Sequence, residues 1–239
     1  MSGDQRLKNE IEHGRKIAPA AEEIWGWSGR VGTLRWERRM SMLLGGLKPG
    51  QRVLEIGCGT GLMTAEAVKT KARIFSLDVS FELLELAKKK KGARKAAFCC
   101  ASAYELGFKD KSFDAVIGMS VLHHLDIDRA FKEFSRVLKD GGRMFFSEPN
   151  MLNPHIFAER TFFREYFHNS PDETAFVRFS LMRKMKRHGF KDVSIRPFDF
   201  LYPRTPASLA SAMNKLLRVV EKIPVLSELA GSLFIEATK

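Results

Sequence analysis

A glycine-rich segment that follows a short apolar run is the feature that most restricts the fold of this chain. Residues 53–61 read Val-Leu-Glu-Ile-Gly-Cys-Gly-Thr-Gly, so a β-forming run leads directly into three alternating glycines. The pattern predicts a buried strand, a tight turn and a helix, because glycine alone takes positive φ angles freely and lets backbone approach a ligand closely. Free N–H groups at the start of that helix would face the occupant of the turn. The segment therefore predicts a nucleoside-type cofactor site.

Two common nucleotide-binding motifs do not fit this segment. The dinucleotide fingerprint is G-x-G-x-x-G, whereas here Leu62 follows Gly61 and the third glycine comes one residue early. Glu55 would repel a pyrophosphate and suits a cationic or hydroxyl-bearing ligand. The Gly-Lys-Ser/Thr of a P-loop is also absent. A ligand other than a dinucleotide or a nucleoside triphosphate is therefore favoured.

The glycine segment resembles the S-adenosylmethionine-binding loop of class I methyltransferases. Two later segments, 112–125 and 134–142, resemble the ubiquinone/menaquinone-biosynthesis (type 11) branch of that family. The resemblance covers about residues 50–150 and implies S-adenosylmethionine as cofactor and methyl transfer as the activity. It implies that the following loop residues bind the cofactor: Glu55, Gly57, Cys58, Gly59 and Gly61.

Further cofactor-binding residues are expected at the ends of the next strands. Asp78 lies about 20 residues beyond the glycine turn, where a carboxylate can accept hydrogen bonds from ribose hydroxyls. The resemblance implies the same role, and a simple helix N-cap is the alternative. Val79 is expected to pack on adenine. Ser102 stands where relatives often carry an aspartate that binds the adenine amino group, and its neutral hydroxyl makes a weaker bond, so the backbone N–H of Ala103 can contribute as much. Met119 completes the predicted set.

Strands that alternate with helices predict an α/β fold with a doubly wound, mostly parallel, seven-stranded Rossmann-like sheet. Strands are expected at 52–56, 73–78, 96–100, 113–119, 143–147, 191–197 and 232–238, the last of them antiparallel by the resemblance. Helices are expected at 16–45, 62–70, 80–90, 126–138, 176–188 and 206–223. Gly141-Gly142 is expected to end the helix at 126–138, and Thr205 and Pro206 are expected to be the N-cap and first residue of the last helix.

The chain is expected to divide into an N-terminal helical segment and one catalytic domain. Residues 1–48 would form a lid, with Trp25-Gly26-Trp27 folding over the cofactor, and residues 49–239 the methyltransferase domain. Insertions at 149–175 and 199–228 would form a helical cap over the carboxyl ends of the strands.

Charge and composition narrow the class of protein less than the motifs do. The 239 residues include 40 Lys+Arg and 28 Asp+Glu, which gives a net charge of +12. Nucleic acid and an anionic membrane surface are therefore both possible partners. The excess is spread along the chain. Its two clusters, 88–95 and 183–187, are most simply basic helix ends, which the helix dipole favours.

Several sequence features favour a cytoplasmic protein. No apolar run reaches the ~18 residues of a membrane span, and the polar first 15 residues are unlike a secretory signal. Three cysteines cannot form a disulfide framework. Cys58 is interpreted as a small residue inside the glycine turn, and Cys99 or Cys100 as part of the core.

Methyl transfer from a sulfonium needs an in-line nucleophile, and a base helps when the acceptor is a hydroxyl or a carbon acid. His123 and His124, just past the fourth strand, and Glu148, at the end of the fifth, are the candidate catalytic residues. The alternative is that one histidine packs and the other is solvated. No His/carboxylate cluster has clear ligand spacing, so no metal is expected. Weaker candidates for the acceptor pocket are Asn150, Tyr166 and His168.

The aromatic segment 157–167 and the apolar helix 206–223 predict a mostly apolar pocket for a small-molecule or lipid-like acceptor. Alternatively, they pack only on each other and on the sheet. The net charge keeps an RNA methyltransferase open, although the Asn/Asp-Pro-Pro-aromatic element of base-methylating enzymes is replaced by Gly118–Val121. A non-catalytic S-adenosylmethionine-binding protein, whose caps bind a partner, is the third possibility.

Overall fold

One mixed sheet organises the chain in the computed structural model, which describes residues 3–163, 166, 173 and 175–239. In the order β3-β2-β1-β4-β5-β7-β6, the strands run parallel except β7, which is antiparallel to both β5 and β6. The strands are β1 (Arg52–Ile56), β2 (Arg73–Asp78), β3 (Ala97–Cys100), β4 (Phe113–Met119), β5 (Leu138–Pro149), β6 (Lys191–Phe198) and β7 (Ser232–Thr238). The predicted α/β Rossmann-like sheet and its antiparallel last strand are confirmed.

Helices connect the strands and cover the sheet. They are α1 (Gly3–Ile17), α2 (Ala21–Ile24), α3 (Gly29–Leu44), α4 (Leu62–Ala67), α5 (Phe81–Lys89), α6 (Ile127–Val137), α7 (Pro154–Phe162), α8 (Arg178–Arg187), α9 (Ala207–Val220) and α10 (Pro224–Ser227). Ser80 caps α5 through its hydroxyl, which accepts from Leu83 N at 3.3 Å. Both predicted basic clusters include the last turn of a helix, α5 and α8.

Strand β1 lies at the centre of the sheet and is buried on both faces. Val53 packs in one apolar core cluster and Leu54 in another, as expected for side chains that alternate between the faces of a strand. The chain winds from β1 to β2 and β3 on one side and then crosses to β4 on the other. This reversal leaves a crevice beyond the carboxyl end of β1, where ligands bind in open α/β sheets.

The N-terminal region differs from the single predicted helix at 16–45. Helix α1 already begins at Gly3, and a short 3₁₀ turn at 18–20 separates it from α2. Gly26 and Gly29 then adopt positive φ angles of 67° and 71° and turn the chain before α3 begins. Because the break redirects the backbone, three helices rather than one form this segment within the described residues.

Three other expectations are corrected. Gly141-Gly142, expected to end a helix, lie inside β5, since α6 already ends at Val137 and the strand begins at Leu138. Pro206 occupies the N-cap of α9 rather than its first turn, and the Thr205 hydroxyl donates backwards to Tyr202 O at 2.7 Å.

The third correction concerns the cysteines of β3. Cys99 and Cys100 are exposed instead of core, because β3 is the edge strand of the sheet. Cys58, by contrast, is buried in the glycine turn as expected.

None of the helices in the described part of the chain has the length and apolar character needed to cross a bilayer.

Candidate cofactor and acceptor site

A cavity of about 610 Å³ opens at the carboxyl ends of the central strands. Its size is typical of small-molecule sites. The glycine turn contributes one wall, and the ends of β2, β4 and β5 contribute Asp78, Met119 and Glu148. The crevice predicted from the strand order is thus a formed pocket.

The glycine turn takes conformations that only glycine adopts easily. Gly57, Gly59 and Gly61 have φ angles of 66°, 52° and 78°. A Cβ atom added to Gly57 would lie 2.5 Å from a methyl group of Val121, so close packing also excludes a side chain there. Between the glycines, Cys58 N donates to Leu77 O at 2.9 Å and ties the turn to β2. Burial raises the pKa of the Cys58 thiol, which therefore stays protonated as a small packing group.

Asp78 joins the end of β2 to the glycine turn. Its two carboxylate oxygens accept from Gly59 N at 2.8 Å and from Ser80 N at 2.9 Å. Burial raises the pKa of this carboxyl. The N-cap of α5 is Ser80 rather than Asp78, which removes the simple capping alternative. Each carboxylate oxygen has a second lone pair, so Asp78 can still accept from a ligand hydroxyl in the cavity.

Glu55 is fully buried and only half satisfied by the protein. Its Oε2 accepts from Thr64 Oγ1 and Ser76 Oγ, both at 2.6 Å. The other oxygen, Oε1, has no hydrogen-bond partner among the described residues, and burial raises the pKa of the carboxyl to about 7. A buried polar atom without a partner is costly, and Glu55 lines the cavity. A donor from a bound ligand would satisfy it, as the ammonium or hydroxyl groups of S-adenosylmethionine can.

The remaining predicted cofactor residues, Val79, Ser102, Ala103 and Met119, all line the same cavity. The Ser102 hydroxyl accepts from Tyr104 N at 3.2 Å and so helps to shape its own loop. Ala103 is buried. Nine of the ten residues expected to bind the cofactor therefore line one cavity; the tenth, Gly61, does not line it and packs against Ala87 of α5.

His123 and Glu148 form one buried unit. Glu148, at the end of β5, accepts from Val121 N at 3.0 Å and Leu122 N at 2.9 Å, and its Oε2 lies 2.7 Å from His123 Nδ1. Burial raises the pKa of Glu148 to about 7 and lowers the pKa of His123 well below its ordinary value. An ionised Glu148 requires a proton on Nδ1, so the lone pair of the neutral His123 ring lies on Nε2, which is 4.0 Å from Glu173 Oε2. The sequence predicted these residues as separate candidates.

A strained residue turns the chain between β4 and this unit. Ser120 has a φ angle of 52°, and its N–H donates to Ser147 O at 2.8 Å. Such conformations in non-glycine residues are uncommon and often occur at functional sites. This turn brings residues 121–124 back over the end of β5, and Ser120 itself lines the cavity.

His124 contacts residues that sequence reasoning missed. Its Nδ1 lies 2.8 Å from Glu10 Oε2 and 3.7 Å from Glu173 Oε1, while its ring centroid is 4.2 Å from that of His123. Arg160 of α7 forms an ion pair with Glu173. Glu10, Arg160 and Glu173 are far apart in the chain and belong to no local motif, so only the fold could identify them.

Ligand atoms of His123, His124 and Glu173 lie within 4.8 Å of one another, close enough to share a cation. Arg160 competes with any such ion for the Glu173 carboxylate, so this donor set is not dedicated to a metal. The expectation that no metal is needed stays a prediction.

Of the three weaker candidates for the acceptor pocket, the two that the structure describes do not line the cavity. Asn150 Nδ2 donates to Glu228 O and Ala230 O, both at 2.8 Å, and therefore fixes the chain before β7 rather than an acceptor. Tyr166 is exposed. His168 lies outside the described residues.

The aromatic residues expected to enclose the pocket do not line it, as far as the structure describes the segment 157–167. Phe157, Phe162 and Phe163 are exposed, and α7 presents Ile156 and Arg160 to the cavity instead. Phe167, the last residue of the predicted segment, lies outside the described residues.

The N-terminal segment lies over the glycine turn. A Cβ atom added to Gly59 would be 2.7 Å from the ring of Trp25. Thr60 Oγ1 donates to Glu22 Oε1 at 2.8 Å, so α2 is bonded to the turn it covers. Arg6 of α1 donates to Leu125 O at 2.7 Å. Trp25 and Trp27 both line the cavity, as the sequence suggested.

Comparison with known proteins gives a consistent result. Residues 54–146 match the family model described as a methyltransferase domain. Demethylmenaquinone methyltransferase of Bacillus cereus is 28% identical over 190 residues, which cover 68% of this chain and 79% of that protein. The 2-phytyl-1,4-naphtoquinone methyltransferase of Trichormus variabilis is 31% identical over 146 residues, 56% of this chain and 63% of that protein. The chain therefore spans less than two thirds of the Trichormus protein's length.

A solved structure has the same fold. The methyltransferase from Thermotoga maritima described as a possible histamine N-methyltransferase superposes with a TM-score of 0.70 and 21% identity, covering 95% of this chain and 99% of that one.

Residues 54–146 are therefore a methyltransferase domain of the class that uses S-adenosylmethionine as its cofactor, in agreement with the fold and the glycine turn. Its relatives include methyltransferases of menaquinone and phytyl-naphtoquinone, which is the similarity that the sequence motifs implied.

Proposed function

We propose that this protein transfers the methyl group of S-adenosylmethionine to a small-molecule or lipid-like acceptor, with His123 as the general base. The observation that carries the proposal is the buried His123–Glu148 pair, whose members are 2.7 Å apart at the wall of the cavity. Relatives named for demethylmenaquinone and phytyl-naphtoquinone support an acceptor with lipid character.

The cofactor is proposed to bind along the glycine turn. Asp78 would accept from its ribose hydroxyls, and Val79 and Ala103 would contact the adenine. Glu55 Oε1, which lacks a partner among the described residues, would accept from a donor on the cofactor. Burial of this carboxyl leaves its charge weakly solvated, so a cationic donor nearby would stabilise the ionised form.

In the proposed mechanism, bound S-adenosylmethionine supplies a methyl group that is already activated on a sulfonium. His123 Nε2 takes a proton from the acceptor atom, while Glu148 holds the proton on Nδ1 and fixes the ring. Glu148 is a positioning residue, because its oxygens bind His123 and the 121–122 backbone. His124 borders the same space next to Glu10 and Glu173.

Replacing His123 by asparagine separates the two functions of its ring. The amide can still donate to Glu148 but lacks the lone pair of Nε2, so we expect turnover to fall by about 10² to 10⁴ while cofactor affinity is unchanged. Steady-state kinetics and calorimetry measure the two effects. His188→Asn is the matched control, because His188 Nε2 lies 3.0 Å from Asp128 Oδ1 outside the cavity. Full turnover in His123→Asn would exclude side-chain base catalysis at this position.

The pKa of Glu148 also predicts the pH dependence of turnover. Below about pH 7 the carboxyl takes up a proton and no longer requires His123 to carry its proton on Nδ1. We therefore expect kcat to fall as the pH decreases through about 7, with little change in KM. Glu148→Gln should flatten this profile, whereas an unaltered profile in that variant would assign the titration to another group.

Residues 1–48 are proposed to act as a lid over the methyltransferase domain, 49–239, with insertions 149–175 and 199–228 as a cap. The Trp25 ring over Gly59 and the Glu22–Thr60 hydrogen bond support the lid. We expect saturating S-adenosylhomocysteine to slow limited proteolysis within residues 1–48 and expect Trp25→Ala to lose most of that protection. Equal cleavage rates with and without the ligand would contradict the lid.

The acceptor class is tested with methyl-labelled S-adenosylmethionine and a fractionated cell extract. We expect label in the organic-extractable fraction and at least about 100-fold slower incorporation with His123→Asn. Label in RNA would refute the proposed acceptor class. The basic clusters at 88–95 and 183–187 would then be the first candidates for RNA binding. Absence of S-adenosylhomocysteine production with every fraction would instead favour a cofactor-binding protein without turnover.

A further inference from the structure

Helix α9 exposes large apolar side chains that the protein does not cover. The sequence predicted that the helix at 206–223 helps to enclose the acceptor pocket, but none of its residues lines the cavity. Leu216 is 63% exposed, and Leu209 and Val219 are also exposed. Only Ala210, with Met213 and Leu217 beside it, packs against the body of the protein. The apolar stripe of the helix is therefore wider than the surface it buries.

Hydrogen bonds already hold the inner face of α9 against α3. A small shift of the helix would therefore not bury the exposed apolar residues against the rest of the protein. Arg38 donates to Glu221 Oε1 at 2.7 Å, immediately after the helix. Arg30 Nη2 donates to Ser211 Oγ at 2.8 Å near its start. Both arginines come from α3, which holds the helix from one side along most of its length.

A basic stripe runs beside the exposed apolar residues. Lys215 and Arg218 are three residues apart in α9 and so share one side of the helix, and Lys222 follows in the turn just after its end. All three are exposed. None of the three forms an ion pair with any residue that the structure describes. The nearby acids Glu221 and Glu228 are instead paired with Arg38 and Arg178. The outward side of this segment is therefore both apolar and positively charged.

This segment begins and ends at the cavity. Residues 200–204, just before α9, line it, as do Gly231 and Ser232 after α10. The apolar surface continues onto α10, where Val225 is 79% exposed. Asn153, also at the cavity, donates to Leu229 O at 2.7 Å. A partner that covers this surface would lie next to the cavity rim.

We propose that this surface docks the protein onto an anionic lipid bilayer. We name it the α9 surface and define it by Leu209, Lys215, Leu216, Arg218, Val219, Lys222, Ile223 and Val225. An apolar stripe beside a stripe of cations is the pattern that binds a helix in the plane of a membrane interface. This inference rests on the proposed lipid-like acceptor. Docking would let such an acceptor pass from the bilayer to the cavity without crossing water.

Two other occupants fit these residues less well. In a symmetric dimer through the same surface, the three cations of one copy would approach those of the other, which is unfavourable. Nucleic acid would neutralise the cations but leave the leucines and valines without an apolar partner. A bilayer satisfies both stripes at once.

Vesicle flotation of the full chain, without cofactor or acceptor, tests the proposal. We expect binding to phosphatidylcholine vesicles that contain about 30% phosphatidylglycerol, and much weaker binding to phosphatidylcholine alone. Leu216→Glu should reduce the partition constant about tenfold or more. Replacing Lys215, Arg218 and Lys222 together by alanine should reduce it by roughly a hundredfold. Leu86→Glu, the same change at an exposed leucine of α5, is the matched control and should bind as the wild type does.

Wild-type protein that does not float with anionic vesicles, or Leu216→Glu that floats equally well, would overturn the proposal. So would a dimer, detected by light scattering, that Leu216→Glu abolishes. Thermal unfolding of each variant checks that the fold is intact. Since flotation needs no turnover, its failure leaves the methyl-transfer assay unaffected, and label in RNA would refute the acceptor class without changing the flotation result.

Discussion

Asp78→Ala is expected to weaken S-adenosylmethionine binding by about 100-fold, because charge-assisted hydrogen bonds contribute most where they are buried. The variant removes a proposed acceptor of the ribose hydroxyls. It also removes the acceptor for Gly59 N and Ser80 N, which lie 2.8 and 2.9 Å from the carboxylate and shape the cofactor turn. Isothermal titration calorimetry gives the dissociation constant, and thermal unfolding shows whether the apo fold persists.

A graded substitution separates ribose binding from loop support. Asp78→Asn keeps one acceptor oxygen and is expected to lose about tenfold in affinity. Asp140→Ala, the same change as Asp78→Ala at an exposed aspartate outside the cavity, should leave the dissociation constant unchanged. Wild-type affinity in Asp78→Ala would refute the proposed role of this carboxylate.

Asp199→Ala is expected to lower the free energy of unfolding by about 3–5 kcal/mol, because it leaves a buried arginine without its counter-charge. Asp199 Oδ2 lies 2.6 Å from Arg39 Nη1 and 2.9 Å from Arg35 Nε, and both Asp199 and Arg39 are buried. These contacts join α3 to the end of β6. Chemical denaturation of wild type and variant at neutral pH measures the difference.

The same ion pair predicts how stability depends on pH. Burial alone would raise the pKa of Asp199, but the charges of Arg39 and Arg35 outweigh it and hold the pKa below its ordinary value. A carboxyl whose folded-state pKa is depressed contributes stability above its unfolded pKa, about 3.9, and loses it as the pH falls through the folded value. The difference in unfolding free energy between wild type and Asp199→Ala should therefore stay constant above about pH 4 and decrease only at lower pH.

An exposed ion pair provides the control. Asp128 contacts Lys184 at 2.9 Å and His188 at 3.0 Å, but its side chain is 60% exposed. Asp128→Ala is expected to cost less than about 1 kcal/mol, because solvent screens exposed pairs. Equal losses in the two variants would show that burial of Asp199 is not the source of its effect.

Where local pattern decides structure, the sequence was sufficient. The strands at 52–56, 73–78, 113–119 and 232–238 were predicted with the bounds the structure gives them. Alternating glycines in one turn, an acid at the end of β2 and apolar runs between helices are local signals, and they predicted the fold and the cavity wall, while the resemblance to class I methyltransferases implied the cofactor. Each of these signals lies within a few neighbouring residues, although the strands themselves pair with residues far away in the chain, as β5 does with β7.

Tertiary structure decided what depends on residues far apart in the chain. The pairing of His123 with Glu148, the approach of Glu10 and Glu173 to His124, and the Arg39–Asp199 ion pair join separate elements and have no periodic signature. The exposure of α9 is of the same kind. The apolar pattern fixes which residues share a face of a helix, but the width of the neighbouring surface determines how many of them are buried.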